Sequence, residues 1–595
     1  MRSPEMPVPQ SFAATIETFL AEYFALLPVH ATAAGNHEHD ARWPDLSAAG
    51  RAERLAFFDR WEAMLQSLDD GALTDDERID RDLLLGEIDA GRFEETELRT
   101  EAWDPLEWVY LLGDGIFPLL AREFAPLADR LASVAGRLEG LPAVVAAARE
   151  TLTGHGDRPV SRLHTETALK QLPGIVDLTD QARAAADDEA ARSDPAVAAL
   201  RPRLAAAADI ATTTLTELER HLRDHVLPTA EGEGRLGPDL FAAKLRRTLR
   251  DPGLPPERVL AAAERDYVAV RAELVRLARE AWPTWHPGEP MPSDDSAIVR
   301  GVLDAVASEH QRAEDLLDYC RAELARIEDF CRANDLVGLV DEPLEIRSTP
   351  LYLRAFGGAM LDSPGPLDKG QKAFFSITPI PDEWGPEQAE SYLREDNDRM
   401  LRLLTIHEAV PGHYLQGAYA NRHPSIVRSV FWSGVFAEGW AVYVTQIMLD
   451  AGYGADDPAL LLTHWKFYLR AITNAIIDVR IHTMGMTEDE AVALMVDGGF
   501  QEQAEARQKY ERARLTSTQL STYYVGSLEF WELEHEVRRR AAVASGDPRG
   551  AAAVPEPRVA GGFGRTPGFV HRHHLEACIS HGSPPLPLLR RILLR

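Results

Sequence analysis

The chain has 595 residues, 45% of them apolar and 26% charged, a balance that supports a large buried core and excludes a wholly disordered chain. Its 63 Lys and Arg against 94 Asp and Glu leave a net charge of −31. Such a field repels phosphate backbones and anionic headgroups, so neither nucleic acid nor a membrane surface is expected as a partner.

From about Ser11 to Val340, apolar residues recur at three- and four-residue spacing, as in LADRLASVAGRLEGLPAVVAAARETL, which predicts one amphipathic helix after another. No fixed period signals a solenoid. Cys320 and Cys331 lie here and Cys578 near the end, too few and too unevenly spaced for a disulfide framework. With no signal-like start in MRSPEMPVPQSF and no uninterrupted apolar run of about 18 residues, the cytoplasm is the expected location. Between 342 and 384, PLEIRSTPLYLRAF and QKAFFSITPIP are rich in β-branched and aromatic residues and predict one small antiparallel sheet. Helices resume at about Pro386 and continue to the end, interrupted by a Gly/Pro-rich irregular insertion at 545–570. The expected class is mainly α, with a helical domain over 1–340 and a catalytic domain over 341–595.

The chemistry concentrates in LLTIHEAVPGHYLQ. In zinc hydrolases of the H-E-x-x-H type, two histidines one turn apart bind the metal and the glutamate beside the first takes a proton from the attacking water. Here His407 and Glu408 are followed by His413 at i+6, which on a regular helix lies roughly 120° off the face of His407. Pro411 has no N–H for the carbonyl of residue 407, and Gly412 tolerates unusual backbone geometry, so the pair predicts a break that returns His413 to that face. Glu438, in the apolar helix SVFWSGVFAEGWAVYVTQIML, is the expected third ligand, because a charge there is costly unless it meets a cation. Farther on, Arg470, Asn474, Asp478 and His482 share one helix face. His482 is a candidate donor to a developing oxyanion and Asp478 a candidate to orient a ligand histidine, against an equally weighted reading as an interhelical polar network. Tyr523 and Tyr524 are candidate electrophilic aids or plain core aromatics. His221 with His225 reads as a surface helix, His37 with His39 as a polar turn, and His571, His573 and His574 carry no assigned role.

HEAVPGHYLQ, FAEGWAVY, IIDVRIHTMG and STQLSTYYVG, in this order, resemble the bacterial family named domain of unknown function 885, and GRLEGLPAVV, HTETALKQLPG, RLGPDLFAAKL and HGSPPLPLLRRIL extend the likeness over nearly the whole chain. The resemblance implies a gluzincin-like zinc metallopeptidase with a deep central cleft, of which 1–340 forms one wall. It implies His407, His413 and Glu438 as zinc ligands, Glu408 as general base, and Tyr523, four residues after Gln519, as a catalytic tyrosine. It also implies that the strand around Phe374, Phe375 and Ser376 is the edge along which an extended peptide lies. Tyr414 and Val442 depart from such patterns, the second moving any carboxylate support of a ligand elsewhere, to Asp478.

The expected function is a cytoplasmic zinc-dependent peptidase acting on short peptides, with one zinc per chain and manganese or cobalt fitting the same ligands. Arg470, Arg480 and Arg512 are candidates to capture a substrate carboxylate, Arg480 being included in the expected substrate-binding set. The alternatives are a metal-dependent amidase for a peptide-like metabolite and, of another class, a non-catalytic helical scaffold. The oligomeric state is not readable from the sequence.

Overall fold

The computed structural model describes residues 11–349, 359–381, 384–554, 562 and 564–595. Helix makes up 71% of it and strand 3%, so the class is mainly α. The chain divides into two compact units.

Unit 1 comprises Met1–Gly234 with two later insertions, Pro364–Gln371 and Ser425–Phe431. Its helices include α1 (Phe12–Leu26), α2 (Pro28–Ala34), α3 (Asp75–Phe93), α4 (Pro105–Ala121), α5 (Leu127–Thr151), α6 (Arg162–Asp187) and α7 (Pro195–His221). Starts are marked by side-chain caps, including the Thr74–Glu77 capping box of α3 and the Asp104 carboxylate that accepts from Leu106 N at 2.7 Å at the head of α4. On α5, Leu131, Val134, Leu138 and Leu141 repeat every three or four residues and are wholly buried, and they face a matching stripe, Leu204, Ala208, Ala211 and Leu215, on α7. Each buried Leu or Val there stabilises the unit by about 1.5–3 kcal/mol. Among the described residues α5 alone is long and apolar enough to cross a bilayer, yet half of its most apolar window is buried inside the protein.

The later insertions are held by ion pairs. His37 places Nδ1 2.8 Å from Asp40 and Nε2 2.9 Å from Asp368, with its ring stacked 3.5 Å from Phe124. The polar turn expected around His37 is thus a clamp on 364–371. Gly35, at φ +84°, lies so close to Asp368 that a Cβ would stand 2.6 Å from its nitrogen. Arg428, fully buried, gives Nε to Asp80 at 2.6 Å and NH2 to the Asp76 carbonyl at 3.0 Å, fixing the short helix Ile426–Val430.

Unit 2 comprises Arg235–Ser363, Lys372–Pro424 and Trp432–Arg595. Its elements include α8 (Pro238–Leu249), α9 (Pro256–Trp285), α10 (Asp295–Ala307), α11 (Leu316–Ala333), β1 (Leu344–Ser348), β2 (Ala359–Asp362), β3 (Ala373–Ile377), α12 (Pro386–Glu395), α13 (Asp398–Glu408), α14 (His413–Ala420), α15 (Gly434–Asp450), α16 (Pro458–Met484), α17 (Gln503–Thr516) and α18 (Ser521–Ala544). The unit boundary therefore falls at 234/235, not at the composition shift near 340. Helices α8 to α11 belong with the later chain: α9 packs on α16, and Arg235 donates to the carbonyls of Ile481 at 2.6 Å and Met486 at 2.9 Å.

The sheet is mixed, not antiparallel. Its order is β1-β3-β2, with β1 parallel and β2 antiparallel to β3. Ile346, Phe375 and Ile377 pack on Leu316, Cys320, Leu401 and Ala409, so the sheet's buried face supports α13. The strand reading of PLYLRAF falls on 350–358, outside the described residues. Between Pro386 and Glu408 the chain forms two helices, because Asn397 accepts from Arg399 N and Met400 N and starts α13 afresh. In the 545–570 insertion, Gly550–Ala553 forms a 3-10 turn, while 555–561 and 563 lie outside the described residues.

Burial opposes charge on His37, but Asp368 and Asp40 outweigh it and raise the imidazole to about 9. With an unfolded value near 6.5, the clamp stabilises fully below about pH 6.5 and is lost as pH rises through about 9. The thermal midpoint of the wild type should therefore exceed that of His37→Gln at pH 6, by an amount equivalent to about 1 kcal/mol after solvent screening, and the gap should close by pH 10. A gap that widens with pH contradicts the clamp.

Candidate functional site

Helix α13 ends at Glu408. Pro411 cannot donate to the carbonyl of His407, the Val410–Pro411 peptide is cis, and Gly412 N turns back to Ile406 O at 3.1 Å. Gly412 itself has an ordinary φ of −72°. Its glycine is required by proximity: a Cβ would lie 1.9 Å from the His407 carbonyl oxygen. The chain passes under that carbonyl and restarts as α14 at His413, and the His407 and His413 rings meet at 83° with centroids 4.7 Å apart. The break predicted from Pro411 and Gly412 does bring the two imidazoles together.

Glu438 is the fifth residue of α15. Its Oε2 is 3.7 Å from His407 Nε2 and 3.5 Å from His413 Nε2. Donors bound about 2.0–2.1 Å from a tetrahedral zinc lie about 3.3 Å from one another, so this spacing fits a divalent ion with little movement. Two contacts set the position of α15. Trp440, fully buried, donates its indole N–H to the Pro411 carbonyl at 2.9 Å, tying α15 to the break between the histidines. Gly439 meets Gly526 of α18 backbone to backbone, a Cβ on Gly439 falling 2.4 Å from Gly526 Cα. That crossing brings α18, and Tyr523 on it, beside Glu438.

Glu408 is 7% exposed and makes no hydrogen bond or ion pair among the described residues. Its carboxylate lies with His407 and His413 in the one cluster of metal-binding residue types found among the described residues, with donor atoms within 4.8 Å of one another. Two carboxylates thus flank the imidazole pair. Glu438 is the better ligand because one of its oxygens reaches both Nε2 atoms, whereas Glu408, adjacent to His407 on a helix, projects about 100° away from it. Burial works against charge on Glu438, but the two histidines outweigh it and hold its carboxyl far below the usual range. Burial likewise opposes charge on His413, and Glu438 and Glu408 overcome it and raise its value. The centre draws in positive charge.

Tyr523 sits in a closed triangle. Arg512 NH2 donates to Gln519 Oε1 at 3.1 Å and to the Tyr523 hydroxyl at 3.2 Å, and Gln519 Nε2 donates to the same hydroxyl at 3.0 Å. A hydroxyl that accepts from two N–H donors directs its own proton elsewhere. Burial and the charge of Glu438 push this phenol up to about 12, against the pull of Arg512 and Gln519, so it is a neutral donor at pH 7.

Other sequence candidates lie elsewhere. His482 is committed to backbone: Nδ1 accepts from Leu236 N at 3.1 Å and Nε2 donates to Ala513 O at 2.9 Å, with the ring stacked on Phe241. Burial holds it down to about 4, and it has no donor left for an oxyanion. Asp478 accepts from Thr518 N, Ser521 N and Ser521 Oγ, so it orders the turn into α18 that carries Tyr523, and it makes no hydrogen bond to His407 or His413. Burial pushes its carboxyl up to about 6. His407 Nδ1 is buried without a partner. The polar stripe on α16 is thus mainly an interhelical network, and Tyr524 is a core residue donating to Asp266 at 2.7 Å. Arg480 pairs with Glu264 at 2.5 Å, away from substrate duty. Phe374, Phe375 and Ser376 lie on β3, which is bonded on both sides; the edges belong to β1 and β2, and β2 packs on α13. Phe374 stacks under Arg347, whose Nε donates to Ser376 at 3.3 Å, and Phe375 is wholly buried. Missed from sequence were Phe467, whose ring lies 5.8 Å from that of His407, and the linking roles of Trp440, Gly439 and Gly526, whose only signal was their place inside the EGW and YYVG motifs.

A mainly α protein that joins a broken histidine helix to a glutamate helix is the class these features define. The sequence family described as bacterial protein of unknown function (DUF885) matches residues 28–553, and the chain belongs to it. Among solved structures, the chain is similar to a candidate lipoprotein of unknown function from Shewanella oneidensis, at 31% identity and a TM-score of 0.80, over 99% of this chain and 100% of that one. A candidate lipoprotein from Colwellia psychrerythraea shares the fold at 15% identity and a TM-score of 0.75, over 98% of both chains. No curated protein sequence matches the chain significantly.

Gly412→Ala should separate His407 from His413. Titration with zinc should show affinity reduced at least ~10-fold while helical circular dichroism persists. Unchanged affinity would mean the break tolerates a side chain.

Proposed function

We propose that the protein is a zinc-dependent hydrolase that cleaves amide bonds of short peptides, with His407, His413 and Glu438 holding one metal ion and Glu408 acting as general base. The carrying observation is the spacing of Glu438 Oε2 from both Nε2 atoms, 3.7 and 3.5 Å, with the buried Glu408 carboxylate beside the same imidazole pair. A zinc ion bound there supplies a Lewis acid that polarises the scissile carbonyl and acidifies water. Glu408 then takes the proton of the attacking water and hands it to the leaving amine. Tyr523, its O–H turned outward by Arg512 and Gln519, donates to the oxyanion that develops on the carbonyl. Among the described strands β2 is an edge beside the histidine helix, along which an extended peptide would lie.

A non-catalytic scaffold has no use for a general base, whereas Glu408 stands beside the imidazole pair where one is needed. Location in the cytoplasm is supported by three buried, unbridged cysteines. Lipoprotein is a description of the relatives, and fractionation of cells into soluble and envelope pools decides between the two: recovery in the envelope overturns the cytoplasmic reading.

Metal analysis after zinc supplementation should give about one zinc per chain, and Glu408→Gln should retain it while lowering turnover of short peptides by about 10²–10⁴-fold. Full turnover by Glu408→Gln, or no bound metal in the wild type, defeats the mechanism.

A further inference from the structure

The three arginines that sequence leaves open as carboxylate anchors are separated by their partners. Arg470 lies 2.7 Å from Glu505 and Arg480 lies 2.5 Å from Glu264. Lys509, beside Arg470, shares Glu505 at 3.3 Å, and Lys466 takes Glu395 at 3.0 Å. Arg512, partly buried on α17, pairs with no carboxylate among the described residues. Its NH2 group is used on Gln519 and Tyr523, while Nε and NH1 make no hydrogen bond among the described residues and neither is sealed from solvent. A guanidinium presents five donors in a fixed fork suited to a carboxylate. Here that fork is half filled and fastened 3.2 Å from the hydroxyl that faces the reaction, with the cation Lys509 for a neighbour.

We propose that Arg512 captures the free α-carboxylate of the substrate, so that the site removes a single residue from the carboxyl end of a peptide. This rests on the hydrolase reading above. The length follows from geometry: consecutive residues are about 3.8 Å apart between Cα atoms, so a carboxylate on Arg512 and a carbonyl against the neighbouring Tyr523 hydroxyl belong to adjacent residues. Water adds its oxygen to the penultimate carbonyl carbon, the C–N bond breaks, and the water proton reaches the leaving amine through Glu408. The products are a free amino acid and a shortened peptide whose new acid loses its proton to solvent.

The test compares three probes: an N-acetylated tripeptide with a free carboxyl end, the same peptide amidated, and an amidated peptide ending in glutamate. The zinc-loaded wild type should prefer the free acid over its amide by roughly 10- to 100-fold in kcat/KM, chiefly through KM. Arg512→Met should abolish that ratio and Arg512→Lys restore part of it. The ratio is the readout because loosening Tyr523 slows both substrates alike. Calorimetric binding of the same probes to the metal-free protein should show the same preference, lost in Arg512→Met. Equal use of acid and amide, a ratio that survives Arg512→Met, or a preference for the amidated glutamate peptide overturns the anchor while leaving the hydrolase intact. If no probe is hydrolysed, the hydrolase reading falls, and binding alone then decides the role of Arg512.

Discussion

Position 412 has room for a hydrogen atom and nothing larger, because the carbonyl of His407 occupies the space where a side chain would begin. This close passage lets the chain fold back beneath the end of α13 and start α14 with a second imidazole facing the first. A regular helix would have carried His413 about 120° away. Every further feature of the centre either exploits this passage or holds it in place.

The holding is done at short range by neighbouring helices. Trp440 joins the break to α15 through one buried hydrogen bond, and Glu438 lies two residues before it, so the same contact that secures the break delivers the carboxylate. Gly439 and Gly526 let α15 and α18 touch backbone to backbone, which sets the tyrosine helix at the distance of a side-chain interaction from Glu438. Asp478 orders the residues leading into α18. Beneath α13, the sheet supplies an apolar floor through Phe375 and Ile377. The centre is thus built on rigid elements, and the groups that would react stand at helix ends, where backbone direction changes.

What could be read from sequence divides along physical lines. Helical periodicity marks nearly every helix, and the Pro-Gly pair between two histidines announces a break, because both effects are local. The sheet was legible as strands but not as an order: β1 pairs with residues of β3 that follow it by 29 positions, passing over β2, and nothing in QKAFFSITPIP shows that β3 lies between β1 and β2. The α16 stripe shows the same limit. Four-residue spacing places Asp478 and His482 on one face, but which backbone groups wait opposite that face depends on α8 and α17, far away in sequence. The unit boundary was misplaced for a related reason, since a change of composition near 340 marks the arrival of strands, whereas the packing of α9 on α16 decides which helices fold together. Arg512 could not be told from Arg470 and Arg480 until their carboxylate partners were seen.

Anomalous scattering at the zinc edge, from crystals of the full chain grown with zinc, addresses the central claim most directly. It should reveal one strong peak about 2.0–2.2 Å from His407 Nε2, His413 Nε2 and a Glu438 oxygen, with Glu408 beside it and unbound. A peak bound elsewhere, or none near these three side chains, would contradict the account.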